Sequence, residues 1–264
     1  MKHFLPAIIF LFLKLNSFSQ NLTPQEIEKD LMKLSSKTVL YYTNNYDSLE
    51  KYSALFSEKL TDYVSKYPST LSYPFKMLID SSVCRVTTSA DGLLRVYSWD
   101  DGLGGTMRFY KNIYQYKAQD KIHAKLLNIG EGDPSCFYSE IFTLKADNKT
   151  YYLGISNSIF SSKDISQTIK VFTIENNTLN DTVKIIKTKN SFINSISVNF
   201  DFFSVVDRPE RPVKLIKYDA DKKIIYIPIV YSDGKVTDRF ILYQFTGKYF
   251  EHILTQTKKG QVDP

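Results

Sequence analysis

Apolar residues recur at three- and four-residue steps in the first part of the chain and at two-residue steps in the rest. The first regime covers residues 22–67. Thr23-Pro24-Gln25-Glu26 reads as a capping box with proline at the first helical position. Ile27, Leu31 and Leu34 follow on one helical face, and the pattern fades near Asn44-Asn45. Asp47-Ser48-Leu49-Glu50 offers a second cap, followed by Leu49, Tyr52, Phe56, Leu60, Tyr63 and Tyr67 at helical steps. Pro68 and Pro74 end the regime. The pattern predicts a helical hairpin with one apolar stripe per helix, of the kind that forms a core.

From about residue 81, Val, Ile, Tyr and Phe alternate with polar residues, and turn residues arrive every eight to twelve positions. Three turns share a dipeptide: Ala90-Asp91-Gly92, Ala146-Asp147-Asn148 and Ala220-Asp221-Lys222. Each lies between two short apolar strands and is followed by a third and a fourth. Residues 191–204 supply a further strand or two. The expected fold is α+β and mainly β: the helical hairpin, then an antiparallel meander of about 12–14 strands, arranged as propeller-like blades or as a curved or closed sheet. The expected divisions are a signal peptide at 1–19, a helical region at 20–80, a β domain at 81–256 and a flexible tail at 257–264.

The start of the chain changes the picture of where the protein works. Met1-Lys2-His3 is basic, and Leu5–Leu13 is an apolar run of nine residues. A bilayer span needs about 20. With Ser17-Phe18-Ser19 at a cleavage position, the segment reads as a secretory signal, leaving a chain from Gln20 that is periplasmic or secreted and not stably inserted in a membrane. Removing residues 1–19 leaves 32 basic against 28 acidic residues, a charge of +4. The basic residues are scattered, so a nucleic-acid partner is not expected.

Export also bears on the two cysteines, Cys84 and Cys136. In an oxidising compartment they either pair, worth about 4 kcal/mol in the chain-entropy account, or stay as buried thiols. The cysteine and histidine spacings make no metal motif, and no cofactor signature occurs. His123 and His252 read as surface positions on strands.

The densest chemistry lies in residues 89–108, which hold the single Trp and four of the ten Gly. Asp91-Gly92 makes a tight turn, and Arg95, Tyr97 and Trp99 then share one strand face. A glycine-rich loop from Asp100 to Gly105 returns the chain. Trp99, Asp100, Asp101, Arg95 and Arg108 form the candidate ligand site, with Trp99 as a stacking platform and the charged groups as hydrogen-bond partners. No catalytic residue is expected. A glycan hydrolase would need a second carboxylate beside Asp100, for which Glu131 and Asp133 are candidates.

The run Ser89-x-Asp91-Gly92-x-x-Arg95-x-Tyr97-Ser98-Trp99-Asp100-x-x-x-Gly104-Gly105-Thr106-Met107, with Asn112-Ile113-Tyr114-Gln115-Tyr116 after it, resembles an uncharacterised family of exported bacterial proteins of the Bacteroidota type. The resemblance covers about residues 22–255. It implies export and a helical-then-β layout, and no activity. Asp91-Gly92 and Trp99-Asp100 also resemble the end of a WD-repeat blade, without its Gly-His partner. The expected function is an exported, non-enzymatic binding module for an envelope or extracellular protein or glycan. The alternatives are an envelope glycan hydrolase and an inhibitor or immunity-type protein.

Overall fold

The computed structural model describes residues 22–257 and 262–263. The signal peptide expected at 1–19 lies outside the described residues. Helix α1 (Pro24–Tyr41) begins at Thr23, whose hydroxyl accepts the Glu26 amide while the Glu26 carboxylate accepts the Thr23 amide. Such a cap stabilises a helix start by about 1 kcal/mol. Helix α2 (Tyr46–Lys66) is capped two residues earlier than Asp47-Ser48-Leu49-Glu50 suggests, by Asn45 through the Ser48 amide at 2.9 Å. A 3-10 turn (Pro68–Leu71) and a short helix α3 (Lys76–Asp80) follow.

The β region then builds three sheets. The first is β1 (Arg85–Thr88), β2 (Leu94–Asp100), β3 (Tyr110–Ala118) and β4 (Lys121–Leu126), an antiparallel meander in chain order. The second comprises β5 (Phe137–Ala146), β6 (Lys149–Ile159), β7 (Asp164–Glu175) and β8 (Thr178–Asn180). After β9 (Ile186–Lys187) and β10 (Phe192–Ile193), strand β11 (Ser195–Asp201) returns to pair with β7. The third sheet is β12 (Lys217–Asp219), β13 (Ile224–Val230), β14 (Val236–Phe245) and β15 (Phe250–Thr257), curled and joined by β9, β10 and β16 (Val262–Asp263). Its β9–β15 pairing is parallel. The tail expected at 257–264 therefore contains a strand, with Val262 opposite Gln256.

The three Ala-Asp turns each join the first two long strands of one sheet: β1 to β2, β5 to β6, and β12 to β13. The sheets stack in chain order, and the period-two alternation shows how. From β2 and β3, Tyr97, Trp99 and Ile113 pack with Ile27, Phe56 and Leu60 of the helices. On the opposite face Leu94, Val96, Tyr114 and Tyr116 pack with Tyr138, Tyr152 and Phe172 of the second sheet. The second sheet in turn sends Leu153, Ile155 and Val171 to Ile225 and Phe250 of the third. The helices thus share their core with the first sheet. They form a covering layer on the β stack, and one face of that layer is the site described next.

Cys84 and Cys136 are free thiols, not a disulfide. The reason lies in the layering. Cys84 is buried in the core between the helices and the first sheet, whereas Cys136 packs into the core on the other side of that sheet. Burial pushes the Cys84 thiol up to about 12, so it is not a reactive thiolate.

Candidate functional site

The β2–β3 loop, Asp101–Phe109, folds back against the tip of the helical hairpin. Gly102 makes this approach: its φ is +76°, in the left-handed region that favours glycine, and Leu49 Cδ1 lies 3.6 Å and Tyr42 Cδ2 3.9 Å from where a Cβ would stand. A cleft of about 360 Å³ opens between the loop and the helices. Val39, Tyr42, Leu49 and Phe56 supply its apolar side, and Trp99, Asp100, Asp101 and Arg108 the side formed by the strand and loop. Serine and threonine side chains from both helices, Ser35, Thr38 and Ser53 among them, complete the wall.

Four of the five expected site residues therefore meet at one cavity, in a different arrangement from the one expected. Trp99 is only 4% exposed, and Phe56 packs edge-on against it at 5.7 Å between ring centroids. Its ring belongs to the core and offers no open face for stacking. Its Nε1–H is a fully buried donor with no hydrogen-bond partner. Arg95 is not in the cleft. It is 6% exposed, donating Nε to Thr88 Oγ1 at 2.8 Å and Nη1 to the carbonyls of Thr70 and Tyr73. The face assignment for Arg95, Tyr97 and Trp99 holds, but the helix layer covers that face and takes up the guanidinium.

The acids at the end of β2 differ from each other. Asp100 accepts the Gly102 amide at 3.0 Å and pairs loosely with Arg108, Nη1 to Oδ2 at 3.5 Å. Asp101 is nearly covered. Its Oδ1 accepts the Leu103 amide at 3.0 Å, and the Lys111 ammonium stands 3.8 Å from its Oδ2. Desolvation raises its pKa above the ordinary carboxylate value, against the opposing pull of the Leu103 amide and Lys111. Asp101 and Ser53 also line a second, open groove of about 900 Å³ between α2 and the chain at Leu126–Ile129, which Lys111 borders as well.

Neither Glu131 nor Asp133 lines the cleft, so the paired-carboxylate arrangement with Asp100 is not assembled there. Among the described residues no cluster of three or more His, Cys, Asp or Glu side chains is placed to hold a metal ion, and no helix is long and apolar enough to cross a membrane. His252 is exposed on β15. His123 is half-buried, stacked on Tyr116 at 5.1 Å, with its Nε2 enclosed and unpartnered.

Most of the motif that stands out in the sequence is explained by folding. Ser89 donates to Asp91 at 2.6 Å, and Tyr152 of the second sheet donates to the other Asp91 oxygen at 3.0 Å. Ser98 donates to Asn112, which donates in turn to the Cys136 carbonyl at 2.7 Å. Gln115 Nε2 reaches the Val64 carbonyl and Thr70 Oγ1, both at 2.8 Å. These bonds tie the first sheet to its neighbours on both sides. In this stretch the buried Trp99 N–H is left without a hydrogen-bond partner, and the Asp100–Arg108 pair is loosely held. Val39, Tyr42 and Leu49, which sequence reasoning did not place in the site, form the opposite wall. Their only signal was an apolar position near the end of a helix stripe.

The chain matches no protein-family model, and comparison with curated proteins finds no relative.

Proposed function

We propose that the protein is an exported binding module whose ligand occupies the cleft between the helical hairpin and the β2–β3 loop, on a scaffold of blade-like meanders. The observation that carries this reading is an amphipathic cavity of about 360 Å³ that sets Val39, Tyr42 and Leu49 of the helical hairpin against Asp100 and Arg108 of the strand end and loop. The cavity size supports a small-molecule or single-residue occupant, since such pockets run from about 300 to 1,000 Å³. Binding rather than hydrolysis is favoured because the cleft brings no second carboxylate from the Glu131–Asp133 loop to Asp100. A cleft rather than a flat apolar face also weighs against an inhibitor that acts by surface contact alone.

Trp99 is the single tryptophan of the chain, so emission excited selectively at tryptophan reports on this residue of the cavity lining. The test is a titration of the chain from Gln20 with fractionated envelope and culture-fluid extracts of its own host. A saturable shift of Trp99 emission, abolished by displacing the bound fraction, is the expected result. An emission spectrum unmoved by every fraction, together with no partner retained on immobilised protein, overturns the reading.

A further inference from the structure

The β2–β3 loop leads to a further pocket. Arg108 of that loop donates its amide to the Ile159 carbonyl at 3.0 Å, and the next residue, Phe160, opens the β6–β7 turn. This turn, the end of β11 and the β13–β14 turn enclose a pocket of about 500 Å³ that shares no lining residue with the cleft. We propose that it binds a short stretch of glycan, a neutral polyhydroxyl ligand whose sugar rings carry an apolar C–H face.

Backbone contacts fix the shape of the pocket. Asp164 of β7 stands opposite Asp201 of β11 in the strand ladder. Asp201 donates its amide to the Gly234 carbonyl at 2.8 Å, and Phe202 donates its own to the Lys163 carbonyl at 2.8 Å. Only a glycine suits position 234, where φ is +88° and a Cβ would stand 2.9 Å from the Asp201 nitrogen. The floor, Phe200 and Ile165, belongs to a small core with Val205 and Leu215. Walls set by the fold keep the ordering cost of binding low.

Two aromatic rings border this pocket without a folding duty. Tyr231 is 58% exposed and Phe160 39% exposed, and neither joins the core beneath them. The turn at Tyr231 is made by backbone bonds, Tyr231 to Lys235 and Gly234 to Tyr231, both at 2.9 Å, which need no ring. The apolar face of a sugar ring removes such aromatic surface from water while its hydroxyls stay at the edge, free to bond.

The polar lining suits those hydroxyls. The Asn199 amide and the Ser232 hydroxyl have no protein partner among the described residues. Asp164 gives one oxygen to the Ser161 hydroxyl at 2.9 Å, and Asp233 gives one to the Lys235 amide at 3.0 Å, which leaves the second oxygen of each. The Lys163 ammonium stands 3.6 Å from Asp201 Oδ2 and is half-exposed. A hydroxyl both donates and accepts, so it can use this mixture of free donors and acceptors. A cationic ligand meets Lys163, and an anionic one meets the aspartates.

Saturation-transfer NMR and isothermal titration of the chain from Gln20 test the proposal. The probes are cellotetraose, mannotetraose, chitotetraose and maltotetraose, with argininamide and glucose 1-phosphate as charged comparisons. At least one tetrasaccharide is expected to bind. Tyr231→Ala and Phe160→Ala are each expected to weaken it about three- to tenfold, the loss of one stacked ring. Tyr231→Phe keeps the ring and is expected to stay within about twofold of wild type. Tyr231 is mostly in water, so the urea midpoint of its variants is expected to match wild type, and lost binding then reports the site. Binding of no tetrasaccharide, binding that survives both alanine variants, or binding confined to a charged probe overturns the proposal. The cleft is tested separately by Trp99 emission, so either reading can fail without the other.

Discussion

Arg95 Nη1 lies 2.7 Å from the carbonyl oxygen of Thr70, a contact between the second strand and the turn that closes the helical layer. The same nitrogen also reaches Tyr73, and the Tyr97 hydroxyl shares the Thr70 carbonyl at 2.9 Å. Arg95 thus clamps the helices to the first sheet. Arg95→Ala leaves the Tyr73 carbonyl without this donor and opens a void. The expected loss is about 2–4 kcal/mol, read as a lower urea midpoint. Arg95→Lys keeps the charge but not the planar fork, and is expected to recover only part of the loss. Ligand affinity of the folded fraction should not change, because Arg95 stands outside the cleft.

Trp99 calls for a different pair of variants. Trp99→Ala removes a ring packed against Phe56 in the core and is expected to cost about 3–5 kcal/mol. Loss of binding in that variant would report loss of fold. Trp99→Phe keeps an aromatic ring beside Phe56 and deletes the orphaned N–H. The lost ring volume opposes the gain from removing that donor, so the net change is expected to stay within about 1.5 kcal/mol. Thermal unfolding of the two variants side by side measures the separation.

Much of this fold is legible in the sequence because the hydrophobic period is unambiguous where elements are long. The capping box, the helical hairpin and the three Ala-Asp turns all carry local signals, and each occurs where its residues place it. The site was only half legible. Trp99, Asp100, Asp101 and Arg108 are close in sequence and remain close in space. The other wall, Val39, Tyr42, Leu49 and Phe56, comes from helices some 40–60 positions earlier, and only tertiary packing brings it there. Arg95 was misplaced for the same reason. Strand alternation gives its face correctly, but not that a helical layer covers that face. The choice between a disulfide and two buried thiols stayed open in the sequence because separation along the chain carries no information about which side of a sheet each thiol occupies.

Gly104 tests whether the loop geometry serves binding. A Cβ there would stand 2.9 Å from Phe109 Cδ2 and closer still to the Met107 carbonyl oxygen. The backbone contact cannot be relieved by a rotamer change, so Gly104→Ala must distort the turn that carries Asp100 and Arg108. Because the loop lies outside the main cores, the expected stability loss is about 1–2 kcal/mol. The expected loss of affinity is larger than that loss implies. A variant with wild-type affinity would show that the loop shape is not needed by the ligand.

The free thiols predict a chemical outcome. Denatured without reductant and treated with iodoacetamide, the chain should take up two adducts, as read by intact mass. In the native state Cys84 should stay unmodified far longer than it does in denaturant, since it is buried and its thiol is raised to about 12. An unreduced chain that takes up no adduct would mean that the two cysteines pair.

Asp101 sets a pH dependence whose sign can be worked out. Its folded pKa is raised above the ordinary value of 3.8, first by desolvation. The native state therefore holds this proton more tightly than the unfolded chain does. The resulting stability is fully present below 3.8 and is lost as pH rises through the higher folded pKa. Above that window the ionised group is a standing cost, only partly offset by the Leu103 amide and the distant Lys111. Asp101→Asn retains an oxygen for the Leu103 amide and removes the charge. It should match wild type most closely at acid pH, with its advantage growing as pH rises from about 4 towards neutrality and then levelling. Urea melts of both proteins across that range supply the measurement. A variant less stable than wild type at neutral pH would show that the Lys111 contact outweighs desolvation.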